Sequence, residues 1–197
     1  MRILIVGASG HVGTAATEAL RAKHEVVGVS RSSTPSVDLL DPDSISRAFA
    51  ELGTFEAVVS AFGSAPFAPA TELTPEDLQA AFTGKVLSQI NLVRIGLEHV
   101  RDGGSFTLTS GILAREPLPT GAAAAMANGA IESYVISAGG ELPRGIRLNA
   151  VSPTVLASAT GYHDTFPGFE PVSDYRVGLA FLRSIEGNAT GRVYRAE

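Results

Sequence analysis

The stretch best suited to chemistry is Gly7-Ala8-Ser9-Gly10-His11-Val12-Gly13, a glycine loop that ends the apolar run Ile3 to Val6 and passes directly into a helical pattern. Gly7 allows a tight reversal after a strand, Gly10 lets backbone N–H groups approach a pyrophosphate, and Gly13 lets the next helix pack close. The helix N-terminus then turns its partial positive charge toward the phosphates. Ser30-Arg31-Ser32-Ser33 is a second candidate anion site: a guanidinium with neighbouring hydroxyls is suited to pair a phosphate, or is a solvated arginine in an ordinary turn. With no cysteine the chain has neither thiol chemistry nor disulfides, and its four histidines show no ligand-like clustering with carboxylates, so no metal is expected.

These residues need a scaffold, and the sequence alternates short apolar runs with helical patterns, which implies a parallel sheet covered on both faces. Strands are expected at Ile3 to Val6, Glu25 to Ser30, Val37 to Leu39, Ala57 to Ser60, Ser105 to Thr109, Ile146 to Val151 and Arg192 to Tyr194. Helices are expected from His11 to Ala22, from Pro42 to about Glu51 behind an Asp41 cap, and from Pro75 to about Val100 behind Thr74. Two more follow, Gly121 to Gly139, rich in alanine, and Asp174 to Ile185. The fold class is therefore α/β: a Rossmann-type doubly wound parallel sheet of about seven strands in three layers, forming one domain over residues 1–197. The Gly/Pro/Ser/Thr-rich segment from Thr154 to Pro171 is the candidate mobile loop over a site.

Composition closes off other classes. With 45% hydrophobic residues the chain can bury a core, and a net charge of −5 with no basic stripe argues against nucleic acid or an anionic membrane surface as partner. The N-terminal apolar run is too short for a signal peptide or a membrane span, so a cytoplasmic protein is expected.

The order of motifs resembles the short-chain dehydrogenase/reductase family over nearly the whole chain. The glycine loop comes first, and Asp38-Leu39-Leu40-Asp41 is similar to the family's acidic segment after the third strand. Ser60-Ala61-Phe62-Gly63 stands where members carry an Asn-Ala-Gly turn, Thr107-Leu108-Thr109-Ser110-Gly111 resembles the strand ending in the active-site serine, and Arg147 to Pro153 resembles the motif leading to the nicotinamide. The resemblance implies a nicotinamide dinucleotide held by Gly7, Ser9, Gly10, His11, Val12 and Gly13 at the phosphates. Further contacts would come from Asp38 and Leu39 at the adenine, Ser60, Ala61 and Gly63 beside the adenosine, and Pro153 and Val155 near the nicotinamide. His11 lies beside the cofactor or is a surface histidine at a helix start. An acidic side chain at the end of the second strand would bind ribose hydroxyls and repel a 2′-phosphate. This chain has Ser30, Arg31 and Ser32 there, so NADP(H) is favoured over NAD(H).

The resemblance also implies carbonyl reduction with a tyrosine as proton donor and a lysine four residues later on the same helix face. Those positions fall on Ala124 and Asn128, and none of Tyr134, Tyr162, Tyr175 and Tyr194 has a lysine four positions on. Two replacements are open. Lys85, where members carry an active-site asparagine, could act beside Ser110 as electrophile or proton donor, or be a lysine at a helix edge or dimer surface. His163, in Tyr162-His163-Asp164, could supply a proton if its loop closed, or belong to an exposed polar loop. Ser110 itself is either the polarising serine or a turn residue.

The expected activity is thus an atypical NADP(H)-dependent oxidoreductase with Ser110 and Lys85 as catalytic residues and an unidentified small carbonyl or alcohol substrate. The alternative is an inactive NADP(H)-binding sensor. The resemblance also implies a homo-oligomer, dimer or tetramer, and the small residues Ala122 to Ala125 and Ala127 permit close helix approach between subunits or equally close packing inside one.

Overall fold

The chain starts on an inner strand of its sheet, one place from an edge, and winds outward in both directions. The structure, a computed structural model, describes residues 1–197. Strands β1 (Arg2–Val6), β2 (Glu25–Val29), β3 (Phe55–Ser60), β4 (Val100–Thr109), β5 (Arg147–Pro153) and β6 (Val193–Ala196) form one sheet in the order β2-β1-β3-β4-β5-β6. Every pairing is parallel. The direction of winding reverses between β1 and β3, and a doubly wound sheet opens its crevice at the carboxyl ends of the strands at that switch point.

Alternation along β1 sorts the core into two layers. Leu4 and Val6 join a cluster with Phe106 of β4 and with Ile45, Phe49, Leu92 and Ile131 of α2 (Pro42–Leu52), α4 (Ser88–Gly96) and α5 (Ala122–Ala138). Ile3 and Ile5 point the other way, into a cluster with Ala15, Leu20, Val177 and Phe181 of α1 (His11–Leu20) and α6 (Asp174–Glu186). The result is a three-layer α/β/α Rossmann-like fold.

Local chemistry sets the helix starts as expected. Asp41 caps α2 by accepting from the N–H of Asp43, and Thr74 and Asp77 form a reciprocal capping box ahead of α3 (Pro75–Ala81).

Two expectations about elements change. Six strands form rather than about seven, because Val37 and Leu39 are buried without pairing: the Val37 N–H donates to the Ser30 carbonyl and the chain turns again at Asp38. Apolar residues at alternate positions sink into the core there while the backbone stays in turns. The long helix expected from Pro75 is also interrupted, since Phe82–Leu87 forms a π-helical turn between α3 and α4. Such a turn carries an extra residue and re-aims the side chains on it, and Lys85 sits within it.

Candidate functional site

The loop after β1 is shaped by contacts that exclude side chains. Gly7 has φ +87°, and a Cβ there would lie 2.6 Å from the Ala61 carbonyl oxygen. A Cβ on Gly13 would lie 2.1 Å from the carbonyl oxygen of Gly7. Gly13 thus supports the loop from behind. Gly10 differs: a Cβ there would meet only the Gly7 carbonyl oxygen, at 3.5 Å, so its open side faces free space. Gly10 is also the N-cap of α1 and supplies no capping side chain, which leaves the first N–H groups of the helix available to an anion.

A cavity of about 400 Å³ lies over this loop. Of the residues expected at the cofactor, Gly7, Ser9, Gly10, Ser30, Arg31, Ser32, Leu39 and Ala61 line it, joined by Val6, Val37 and Phe62. No carboxylate borders it. Arg31 is exposed and in no ion pair, and its turn is braced by the Ser33 hydroxyl, which accepts from the Ser30 N–H at 2.8 Å. Val12 packs against the core on the α1 side, and exposed His11 lies 3.4 Å from the Ser158 hydroxyl. Asp38 uses a carboxylate oxygen to accept from the Leu40 N–H at 2.9 Å, and Ser60 is buried at the end of β3. A larger groove, about 670 Å³, runs along α6 and β6 among four arginines, away from every one of these residues.

The segment Ala61 to Gly63 leads from the first cavity to a second of about 190 Å³, whose wall includes Gly63, Lys85, Ser110, Ala124, Asn128, Pro153 and Val155. Residues from five separate parts of the chain therefore meet here. Lys85 reaches in from the π-helical turn, its stem lying where a Cβ on Gly63 would be 2.8 Å from Cγ. Its Nζ donates to the Ser110 carbonyl at 3.2 Å, and no carboxylate pairs with it. Although the side chain is only partly covered, the packing around the ammonium strips it of water and pushes its pKa down to about 8. Apolar walls come from Ala65, Phe67, Ile112, Leu113 and Phe166.

The strand end just before Ser110 is held by a side chain that no motif marks. Beyond the last residue of β3, Gln89 acts as a surrogate neighbour for β4: its Oε1 accepts from the Thr109 N–H at 2.8 Å and its Nε2 donates to the Thr109 carbonyl at 2.9 Å. The Ser110 hydroxyl donates to Glu132 Oε1 at 2.8 Å, a contact equally unforeseen. Glu132 is the only charged residue of α5, and that isolation in an alanine-rich helix was the signal available for it. His163 does not reach the cavity: its Nε2 lies 3.0 Å from the carbonyl of Leu156, within its own loop.

A sheet with a glycine turn and a cation-lined cavity at its switch point defines a class of dinucleotide-handling proteins, and comparison with known proteins narrows it. The family described as enoyl-(acyl carrier protein) reductase matches residues 7–190, and the chain belongs to it, within the short-chain dehydrogenase/reductase oxidoreductases. The hydroxynaphthalene reductase-like protein Arp2 of Metarhizium brunneum is 30% identical over 167 residues, covering 77% of this chain and 61% of that protein. The chain thus spans about three-fifths of the length of that relative. Among solved structures, the protein lin1944 from Listeria innocua is 45% identical with a TM-score of 0.97, each chain being covered completely. A small-chain dehydrogenase solved in complex with NADPH shares the fold at 23% identity, with a TM-score of 0.86 over all of this chain and 96% of its own.

Proposed function

We propose that the chain is an NADP(H)-dependent oxidoreductase that interconverts a small carbonyl compound and its alcohol, with Lys85 as the proton donor. The observation that carries this reading is the Lys85 ammonium, unpaired by any carboxylate and set beside Ser110 on a cavity that adjoins the glycine turn.

The first cavity fits a dinucleotide with a 2′-phosphate. Gly10 and the uncapped start of α1 would hold the pyrophosphate, and Arg31 with Ser30 and Ser32 would hold the 2′-phosphate, with no carboxylate to repel it. Leu39 would lie against the adenine, with Asp38 at its amino group. A bound NADPH supplies a hydride. The chain's own groups then handle the oxygen that becomes an alkoxide: Lys85 gives it a proton, and the Ser110 carbonyl keeps the ammonium aimed while apolar walls limit water. A lysine with a pKa near 8 is a competent acid near neutral pH, because efficient proton donors titrate near the working pH. In this reading Ala124 and Asn128, also in the cavity lining, fill the positions of the family's tyrosine and lysine, and the cation has moved to the π-helical turn.

The test is NADPH consumption over a panel of small aldehydes and ketones. Wild type turns over some member, and Lys85→Ala loses about 10²–10⁴-fold in rate while still binding NADPH. Tight NADPH binding without turnover anywhere on the panel supports a cofactor sensor instead.

Self-association belongs to the same reading. Ala123, Ala124 and Ala127 are buried within the chain, whereas Leu78, Phe82, Leu87 and Met126, all on α3 to α5, are exposed apolar residues that a second copy would cover. Light scattering should give a dimer or tetramer, and a monomeric mass dismisses it.

A further inference from the structure

Ser110 does not offer its proton to the cavity. Its hydroxyl donates to Glu132 Oε1 at 2.8 Å, and the same oxygen accepts from the Ser152 hydroxyl at 2.8 Å. Arg115 holds the carboxylate from the side, with Nη1 at 3.5 Å from Oε1 and 2.9 Å from Ser152 Oγ. The side chains of Arg115 and Glu132 are each 17% exposed. A serine hydroxyl has one proton and two acceptor lone pairs, so with the proton on Glu132 the free valence of Ser110 is an acceptor.

Two further polar atoms, on residues of the same lining, lack partners. Asn128 is 4% exposed and Thr154 5%, and neither Asn128 Oδ1 nor Thr154 Oγ1 has a hydrogen bond within the chain. Lys85 Nζ carries three N–H groups, of which one is used on the Ser110 carbonyl. The cavity therefore combines one strong donor, Lys85, with the acceptor side of Ser110, and the two unpartnered oxygens lie buried behind its lining.

We infer that this site selects a carbonyl compound bearing a hydroxyl on the adjacent carbon, and that Glu132 is the positioning residue that imposes the choice. The substrate carbonyl meets Lys85, and its hydroxyl donates to Ser110 Oγ. A plain ketone satisfies Lys85 and leaves the Ser110 acceptor unpaired, which is how a site built to bond a hydroxyl rejects the analogue without one. The inference rests on the reduction proposed above. There the carbonyl carbon gains a hydride from the reduced nicotinamide, the C=O π pair moves to oxygen, and that oxygen takes its proton from Lys85. The neighbouring hydroxyl is untouched, and the product is a vicinal diol.

Hydroxyacetone and 2-butanone test this cleanly, since they differ by a hydroxyl in place of a methyl. With NADPH, wild type should show kcat/KM about tenfold or more in favour of hydroxyacetone. Glu132→Gln, whose amide can donate to Ser110 Oγ and release the serine proton toward the cavity, should bring the ratio toward one, with Glu132→Asp retaining more of it. Ser110→Ala, which removes the acceptor directly, should also lower it. A purely structural role for Glu132 would slow both substrates equally, and that result overturns the inference. Turnover of both probes at equal kcat/KM by wild type overturns it too while leaving the reductase reading in place. If NADPH binds without turnover, the reductase reading fails, and the affinities of the two probes by saturation-transfer NMR decide: a tenfold preference for hydroxyacetone upholds the selectivity, and equal affinities overturn it.

Discussion

Lys85 Nζ lies 3.2 Å from the backbone carbonyl of Ser110, joining the π-helical turn after α3 to the end of β4. The contact spends one N–H of the ammonium and leaves the rest facing a cavity with no counter-charge, in packing that drives the pKa to about 8. The proton on this residue is therefore held loosely enough to be given away near neutral pH.

Carbonyl reduction should be pH-independent below about 8 and fall about tenfold per unit above it, because the protonated lysine is the active form. Alcohol oxidation should show the opposite limb and rise through the same pH. Stability follows a related rule. The folded pKa lies below the ordinary lysine value of 10.5, so the unfolded chain holds more protons between about 8 and 10.5 and stability contributed by this residue rises with pH across that window. Lys85→Met should consequently melt higher than wild type at pH 7, with the gap narrowing by pH 10 in thermal scans. A gap that stays constant from pH 7 to 10 contradicts the shifted pKa.

Gly10 and Gly13 should separate binding from folding. Gly13→Ala sets a Cβ 2.1 Å from a carbonyl oxygen and 2.7 Å from the Ala8 Cα, a backbone clash expected to cost about 1–3 kcal/mol or more. Gly10→Ala meets nothing closer than 3.5 Å, so the melting temperature should hold while NADPH affinity drops. Melting curves and cofactor titrations on both variants read the two effects, and equal loss of stability in the pair would contradict the assignment of Gly10 to the ligand.

Gln89→Leu should destabilise the end of β4. The substitution strips partners from the buried N–H and carbonyl of Thr109, and each such orphan costs about 1–3 kcal/mol. Urea unfolding should show a lower midpoint with the slope unchanged, and activity should fall with it as Ser110 loses its fixed place. A midpoint within error of wild type would show that the ladder to β5 holds Thr109 unaided.

Much of the frame was legible because it depends on local rules. The glycine turn, the Asp41 and Thr74 caps and the alternation in β1 are each encoded within a few residues, and together they orient the crevice. The unformed strand at Val37 to Leu39 was not legible, since buried alternate residues look the same whether their backbone pairs or turns. Spacing could not show the interruption around Lys85 either, because a π-helical turn keeps the helical pattern while adding a residue. Ser110 was marked by its motif, but Glu132 reaches it across 22 positions of sequence, while Arg115 acts on Glu132 and Gln89 on Thr109, through tertiary contacts alone. The glycine-turn half of the crevice is therefore written in the sequence more plainly than the half around Lys85 and Ser110.

The most direct test of the account is a parallel fluorescence titration of the protein with NADPH and NADH, repeated on Arg31→Ala. The chain has no tryptophan, so nicotinamide emission is read against a dark protein background. The account predicts tighter binding of NADPH than NADH in wild type, with about 10–100-fold of the NADPH affinity lost in Arg31→Ala and little change for NADH. Equal binding of the two cofactors, or an Arg31→Ala variant that holds NADPH as tightly as wild type, would contradict it.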